Sequence, residues 1–278
     1  MPEPLDPQIY RELVRQALVE DLGSGDITTD AIVGDSQRAS GVFLAKRACV
    51  VAGLDVAREV FHQLDPRVTF LGVVYDGDAC AADDLIARVN GPAASILIGE
   101  RTALNFLQWL SGVATETHRF VEAAGGRVNV LDTRKTVPTL RAILKYAVRC
   151  GGGVNHRMGL YDGVLIKDNH IRLAGGIEEA IKRVRATGTR LRIEVETQSL
   201  ADVDAAIAAR ADIIMLDNLD DDDLRDAIAR IAGRAHVEIS GGITLDRLHR
   251  IAPLGADDVS VGAITHSAPA ADIALEIE

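Results

Sequence analysis

The sequence predicts an α/β protein: an N-terminal α+β domain followed by an incomplete parallel α/β barrel. Three observations carry this. The first 112 residues hold β-rich runs separated by turns and do not repeat as strand–helix units. From Val128 onward, short apolar runs alternate with amphipathic helical stretches, the signature of a parallel sheet with helices outside it. The clear strands number about six, too few for a full eight-fold barrel. A doubly wound open sheet is the runner-up, because closure is not legible in a sequence.

In chain order, residues 7–20 read as a helix with Ile9, Leu13, Ala17 and Leu18 on one apolar face. Asp21-Leu22-Gly23-Ser24-Gly25-Asp26 ends it in a turn. Residues 38–51 and 68–90 are β-rich, with a helix over 54–64 between them. Residues 95–124 are helical in pattern, with a break expected near Ser111-Gly112. The boundary is drawn there: residues 1–112 form the first domain and 113–269 the barrel. The alternation of Asp272 to Ile277 predicts that 270–278 return as a strand of the first domain. Barrel strands are expected at 128–131, 164–166, 191–195, 213–216, 237–239 and 259–261, with a further short one near Val154. Helices are expected at 138–149, 177–186, 199–209, 221–231 and 244–252.

Composition excludes several classes. No apolar run approaches the roughly 18 residues that span a bilayer, and the first ten residues lack the apolar core of a signal peptide. Cys49, Cys80 and Cys150 are odd in number and far apart, which argues for a reducing cytoplasm and against a disulfide framework or zinc site. The net charge of −11 and an aromatic content of 4% argue against nucleic acid as a partner.

The charge is unevenly spread. From Arg134 to Arg172, eight basic residues face only Asp162 and Asp168, a local excess of +6. Arg141, Lys145 and Arg149 form one helical stripe and read as a solvated face. Arg134, Lys135, Arg157 and Lys167 lie at strand ends or in the loop Gly151-Gly152-Gly153-Val154-Asn155-His156-Arg157. Cations converging there need an anion to neutralise them, and guanidinium groups suit carboxylates and phosphates. In parallel α/β folds, function gathers just past the C-terminal ends of strands. Those positions hold Asp132-Thr133-Arg134-Lys135, Lys167-Asp168-Asn169-His170, Glu196, Asp217-Asn218, Ser240-Gly241-Gly242 and Gly262-Ala263. The two last loops suit a phosphate, which glycine lets main-chain N–H groups approach. Glu196 and Asp217 suit a ribose, a Mg²⁺ ion held through its waters, or a developing positive charge at a sugar carbon.

Asp132-Thr133-Arg134-Lys135-Thr136, Lys145-Tyr146-Ala147-Val148, Cys150 through Arg157, and Leu165-Ile166-Lys167-Asp168-Asn169-His170 together resemble the quinolinate phosphoribosyltransferase family. Glu20-Asp21, Gly25-Asp26, Arg101 through Asn105, Glu194-Val195-Glu196, Leu216-Asp217-Asn218 and Ser240 through Ile243 add to the likeness, which covers nearly the whole chain. The resemblance implies an N-terminal α/β sandwich joined to an incomplete barrel. It also implies transfer of a phosphoribosyl group from phosphoribosyl pyrophosphate (PRPP) to quinolinate with loss of carbon dioxide, assisted by Mg²⁺. It assigns Arg134, His156, Arg157 and Lys167 to the quinolinate carboxylates. Thr133, Lys135, Glu196, Asp217, Ser240, Gly241, Gly242, Gly262 and Ala263 fall to the remaining substrate contacts. Lys135, Lys167, Glu196 and Asp217 become the catalytic candidates. The resemblance further implies a homodimer, or an assembly of dimers, in which Arg101 crosses into the partner's site. Val137, Thr139 and Thr197-Gln198 depart from the family pattern without removing a named ligand. A Schiff-base aldolase using Lys167 and a non-catalytic anion sensor are the competing classes.

Overall fold

The computed structural model describes residues 2–278. The chain divides into two compact units: residues 2–118 with 137–152 and 267–278, and residues 119–136 with 153–266. The first unit therefore gathers three separate pieces of chain, including the segment 137–152 that the linear division at 112 assigns to the barrel.

In the first unit, helix α1 (Pro7–Leu22) starts at Asp6, whose side chain accepts the Gln8 N–H at 2.9 Å, with Pro7 at its first position. Its buried face is Tyr10, Val14 and Leu18, rotated from the expected one; Ile9 is exposed. A short α2 (Ile27–Ile32) follows, capped by Asp26. Strands β1 (Arg38–Ala45), β3 (Thr69–Gly72), β5 (Leu85–Pro92) and β12 (Ile273–Ile277) form an antiparallel sheet in the order β12-β1-β5-β3. The C-terminal strand returns as expected, with Phe43 opposite Leu275. Helix α3 (Leu54–Leu64) supplies Phe61 to a cluster with Phe43 and Phe70, ring centroids 5.4–6.2 Å apart. Strands β2 (Cys49–Val50) and β4 (Ala79–Cys80) make a separate pair. Asp76 caps α3 by accepting the Gly53 and Leu54 N–H groups, and Tyr146 on α5 (Arg141–Cys150) donates its hydroxyl to Asp76 at 2.6 Å.

Helix α4 (Ala93–Ala124) runs unbroken, against the expected interruption at Ser111-Gly112. Gly112 serves packing instead: a Cβ there would collide with the Pro269 carbonyl. The basic stripe on α5 is also not a solvated face. Lys145 is 1% exposed and α5 is buried nearly all round, so its charges are engaged with neighbours as burial requires.

The second unit holds β6 (Asn129–Leu131), β7 (Val164–Ile166), β8 (Ile193–Thr197), β9 (Ile213–Asp217), β10 (His236–Ser240) and β11 (Asp258–Ser260). All pair in parallel in the order β6-β11-β10-β9-β8-β7. Neighbours in the chain are neighbours in space without reversal, and the first strand joins the last. That order is a barrel opened between its first two strands; a doubly wound sheet would reverse direction part-way. Val154 makes a single bridge to Leu131 at the open side. Helices α6 (Asp168–Ala174), α7 (Ile177–Ala186), α8 (Leu200–Ala208), α9 (Asp221–Ile231), α10 (Leu245–Ile251) and α11 (Ala263–His266) follow their strands. Apolar residues such as Val195, Ile214, Leu216, Ile239 and Val259 are fully or almost fully buried. Among the described residues, no helix is long and apolar enough to cross a membrane.

Candidate active site

The strand order sets the site. Along the C-terminal rim from β6 to β7, the strand ends and the turns just after them carry Lys135, Gly262, Ser240, Asp217, Glu196 and Lys167, so that residues 21 to 127 positions apart in the chain become neighbours on the rim. In register, Ser240 lies opposite Asp217, and Glu196 opposite Met215, two residues before Asp217 on β9.

At the β6 end, the Thr133 hydroxyl accepts the Lys135 N–H at 3.0 Å. The Thr265 hydroxyl donates to the Lys135 carbonyl at 2.8 Å and shares with the Gly262 carbonyl, tying Lys135 to the Gly262-Ala263 turn. A Cβ on Gly262 would stand 3.2 Å from His266 and 3.3 Å from the Lys135 stem. Beside β9, Asn218 adopts a left-handed φ of 57°, donates its amide N–H to the Ser240 carbonyl at 3.1 Å, and donates from its side chain to Asp217 Oδ2 at 2.8 Å. Gly241 (φ 93°) must be glycine, since a Cβ would strike the Asn218 side chain and amide. At the other end, Lys167 Nζ lies 2.5 Å from Glu196 Oε2. Lys167 is half exposed while Glu196 is buried. The Lys167 backbone N–H donates to His170 Nδ1 at 2.9 Å, which fixes the start of α6.

His156 and Arg157 lie in the loop that follows Val154. Asp132, fully buried, accepts the His156 N–H at 2.9 Å and an Asn155 side-chain N–H at 2.6 Å, pinning the loop after Val154. Arg157 Nη1 donates to the Gly163 carbonyl at 3.0 Å. Burial and the neighbouring Arg134 charge lower the Arg157 pKa, so the two guanidinium groups share one region. His156, Arg157, Glu194 and Glu238 line a cavity of about 590 Å³ together with Val164, the first residue of β7. The lining also takes in Leu131, the last residue of β6, and Ile213, the first of β9.

His156 differs from its expected placement. Its Nε2 lies 3.1 Å from Glu194 and 3.5 Å from Glu238, and Glu238 also accepts from Ser260. Its Nδ1 accepts the Arg157 N–H at 2.8 Å. Burial opposes charge on the ring, while the two glutamates favour it. An N–H aimed at Nδ1 nevertheless requires that nitrogen to be bare. Because the direction of the Arg157 amide is set by the backbone, we take the neutral ring with its proton on Nε2. The cluster's remaining proton then belongs on a carboxyl, and burial, with Glu238 close by, pushes Glu194 up. His156, Glu194 and Glu238 are also a set of metal-ligand types within 4.8 Å of one another. A metal at Nε2 would need the proton on Nδ1, where the Arg157 N–H already points, so hydrogen bonding accounts for the cluster.

Arg101 is exposed on α4 in the first unit and lines a cavity of about 370 Å³ with Asp21 and Asp26. No sequence motif gave a role to Glu194, Glu238, Ser260, His266 or Arg247. A signal existed for the first two: each stands two residues before a named rim residue, Glu196 or Ser240, and so shares its face of the strand.

A parallel barrel with cations, carboxylates and paired glycine turns at one rim is the arrangement of an anion-handling enzyme. The models of the quinolinate phosphoribosyl transferase N-terminal and C-terminal domains match residues 26–111 and 113–276. The chain belongs to this family. It is 42% identical over 269 residues to a Bacillus subtilis protein named probable nicotinate-nucleotide pyrophosphorylase (carboxylating), covering 96% of this chain and 93% of that one. A chloroplastic nicotinate-nucleotide pyrophosphorylase (carboxylating) of Arabidopsis thaliana is 40% identical over 288 residues, covering 96% and 82%. The solved nicotinate-nucleotide pyrophosphorylase of Francisella tularensis superposes with a TM-score of 0.95 at 40% identity, covering 99% and 98% of the two chains.

Proposed function

We propose that the protein transfers the phosphoribosyl group of PRPP to quinolinate, giving nicotinate mononucleotide, pyrophosphate and carbon dioxide for NAD biosynthesis. The observation that carries this reading is the rim order: phosphate-suited turns at 240–242 and 262–263, then Asp217 and Glu196, then Lys167. A diphosphate, a ribose and a dicarboxylate need those groups in that succession. Arg134, Arg157 and Lys167 take the quinolinate carboxylates. His156 acts through its ring by seating the Arg157 main chain. Thr133, Lys135, Ser240, Gly241, Gly242, Gly262 and Ala263 take the phosphoribosyl side.

The pyridine nitrogen donates its electron pair to the anomeric carbon as the bond to pyrophosphate breaks. Glu196 and Asp217 stabilise the positive charge that develops on the sugar. Lys135 meets the charge on the departing oxygen. The ring nitrogen is then quaternary; the adjacent carboxylate leaves as carbon dioxide, and the carbon it vacates takes a proton from Lys167 or water. Asp217 and Glu196 are oxygen donors on neighbouring strands and fit a Mg²⁺ ion that arrives with PRPP and is reached through its waters. When bound, the ion neutralises charge on the pyrophosphate. A homodimer in which Arg101 reaches the partner's site, working in the cytoplasm, completes the proposal; three free cysteines suit that compartment.

The test is direct. Purified protein given quinolinate, PRPP and Mg²⁺ releases carbon dioxide and pyrophosphate in equal amounts. Replacing quinolinate by nicotinate abolishes most turnover, because half of a two-carboxylate pocket is left unpaired. Absence of both products from quinolinate would end the proposal.

A further inference from the structure

We propose that Arg247 is a positioning residue that holds the Gly241–Gly242 peptide in the orientation a phosphate requires. The inference rests on the proposed function for the identity of the phosphate donor, and on geometry for the rest. Arg247 sits in the first turn of α10, where its backbone N–H donates to the Thr244 hydroxyl at 3.2 Å. Its side chain turns back toward the rim and is 17% exposed. Nη1 donates to the Gly241 carbonyl at 2.5 Å and Nη2 to the Leu219 carbonyl at 2.6 Å. Nε lies 3.7 Å from Asp221 Oδ1. One guanidinium thus fastens the loop after β9 to the loop after β10, using the planar fork that lysine lacks.

The consequence follows from the geometry of the peptide. A trans peptide points its carbonyl and its N–H in opposite directions. With the Gly241 carbonyl held by Arg247, the Gly242 N–H faces away from Arg247. Gly241 and Gly242 both have positive φ, 93° and 58°, and two glycines in succession let a peptide flip at little steric cost. A flip would exchange an N–H for a carbonyl oxygen and turn an anion donor into an anion repeller. Glycine is required at 241 by the close approach of Asn218, so the sequence cannot stiffen this turn with a side chain of its own. Arg247 supplies the stiffness from outside. It lies behind the turn and bonds only main-chain carbonyls there, which is what separates it from a residue that grips phosphate itself.

The experiment compares wild type, Arg247→Ala, Arg247→Lys and Arg250→Ala by calorimetric titration with PRPP and Mg²⁺, titration with quinolinate, and steady-state kinetics. Arg250 bonds the same Asp221 at 2.9 Å from a more exposed position and controls for charge. Arg247→Ala is expected to weaken PRPP binding and raise its KM about 10-fold or more, while quinolinate affinity stays within about twofold. Arg247→Lys, which reaches one carbonyl but not both, falls between, and millimolar guanidinium restores part of the loss in Arg247→Ala. Arg250→Ala behaves as wild type. If Arg247→Ala does not fold, Arg247→Lys carries the same prediction. Unchanged PRPP affinity in a folded Arg247 variant, or an equal loss toward both substrates, overturns the inference. Failure of the wild-type protein to bind PRPP overturns the proposed function instead.

Discussion

Strand β8 carries two charged clusters two residues apart, and they have opposite characters. Glu196 meets Lys167 at the rim, with the lysine side chain 47% exposed. Glu194, one layer down, meets His156 and Glu238, with side chains 13% exposed or less. Both pair a carboxylate with a basic group within hydrogen-bond reach. In the upper pair the lysine keeps contact with water, so its charge remains available to a ligand. In the lower cluster each nitrogen of the ring is committed, one to carboxylates and one to a main-chain amide. The same residue types therefore serve substrate at one height and architecture about 7 Å below it, the rise of two strand residues.

That contrast breaks most visibly at Lys167. Lys167→Ala should lower kcat/KM with quinolinate about 10²–10³-fold, while its cost in a urea titration stays below that of His156→Ala, because the lysine is half solvated and its loss leaves a single carboxylate at the rim. A large stability loss with normal turnover would reverse the roles of the two layers. The opposite pattern is expected below. His156→Ala leaves two buried carboxyl groups and the Arg157 amide without their partner and should cost about 3–5 kcal/mol in a urea titration. A cost under about 1 kcal/mol would mean that the lower cluster is open to water after all.

Glu194→Gln sharpens the comparison with a smaller effect. If Glu194 carries the cluster's proton, an amide can replace the neutral carboxyl, and stability at pH 5 should change by less than about 1 kcal/mol. The pH dependence has a definite sign. Burial raises the folded-state pKa of Glu194 above the ordinary 4.5, so the folded chain retains a proton that the unfolded chain has lost. Its contribution is complete below about 4.5 and disappears as pH rises through the folded value. Wild type should therefore lose ground to Glu194→Gln between pH 5 and pH 8, read from urea midpoints; a difference that grows the other way would show Glu194 ionised. The smallest effect concerns sealed groups in the first unit. Burial pushes the Cys49 thiol up to about 11 and Cys150 to about 12, and raises Cys80. Iodoacetamide at pH 8 should label none of the three in the native protein and all three after unfolding, as counted by mass spectrometry.

Much of the barrel was legible because its periods are short. Val164–Ile166, Ile177–Ala186 and Asp221–Ile231 appear where the pattern puts them, and the C-terminal strand was marked by its alternation. The rim residues followed from one rule about strand ends. What failed depended on contacts distant in sequence. Nothing local in Ser111-Gly112 says that Pro269 presses against that glycine and that the helix continues. Nothing local in Arg141, Lys145 and Arg149 says that their helix is buried nearly all round.

The sequence by itself determined the kinds of element, their order, and the chemistry available at each strand end, because periodicity and residue type act over a few positions. Only the tertiary structure decided which of those groups remain open to a ligand. Strand order and register made Glu196 a partner of a solvated lysine and Glu194 a partner of an enclosed histidine. They also brought Arg247 behind a turn six residues earlier in the chain. Access to water and the direction of a hydrogen bond depend on what is packed alongside, and that is set by residues far away along the chain.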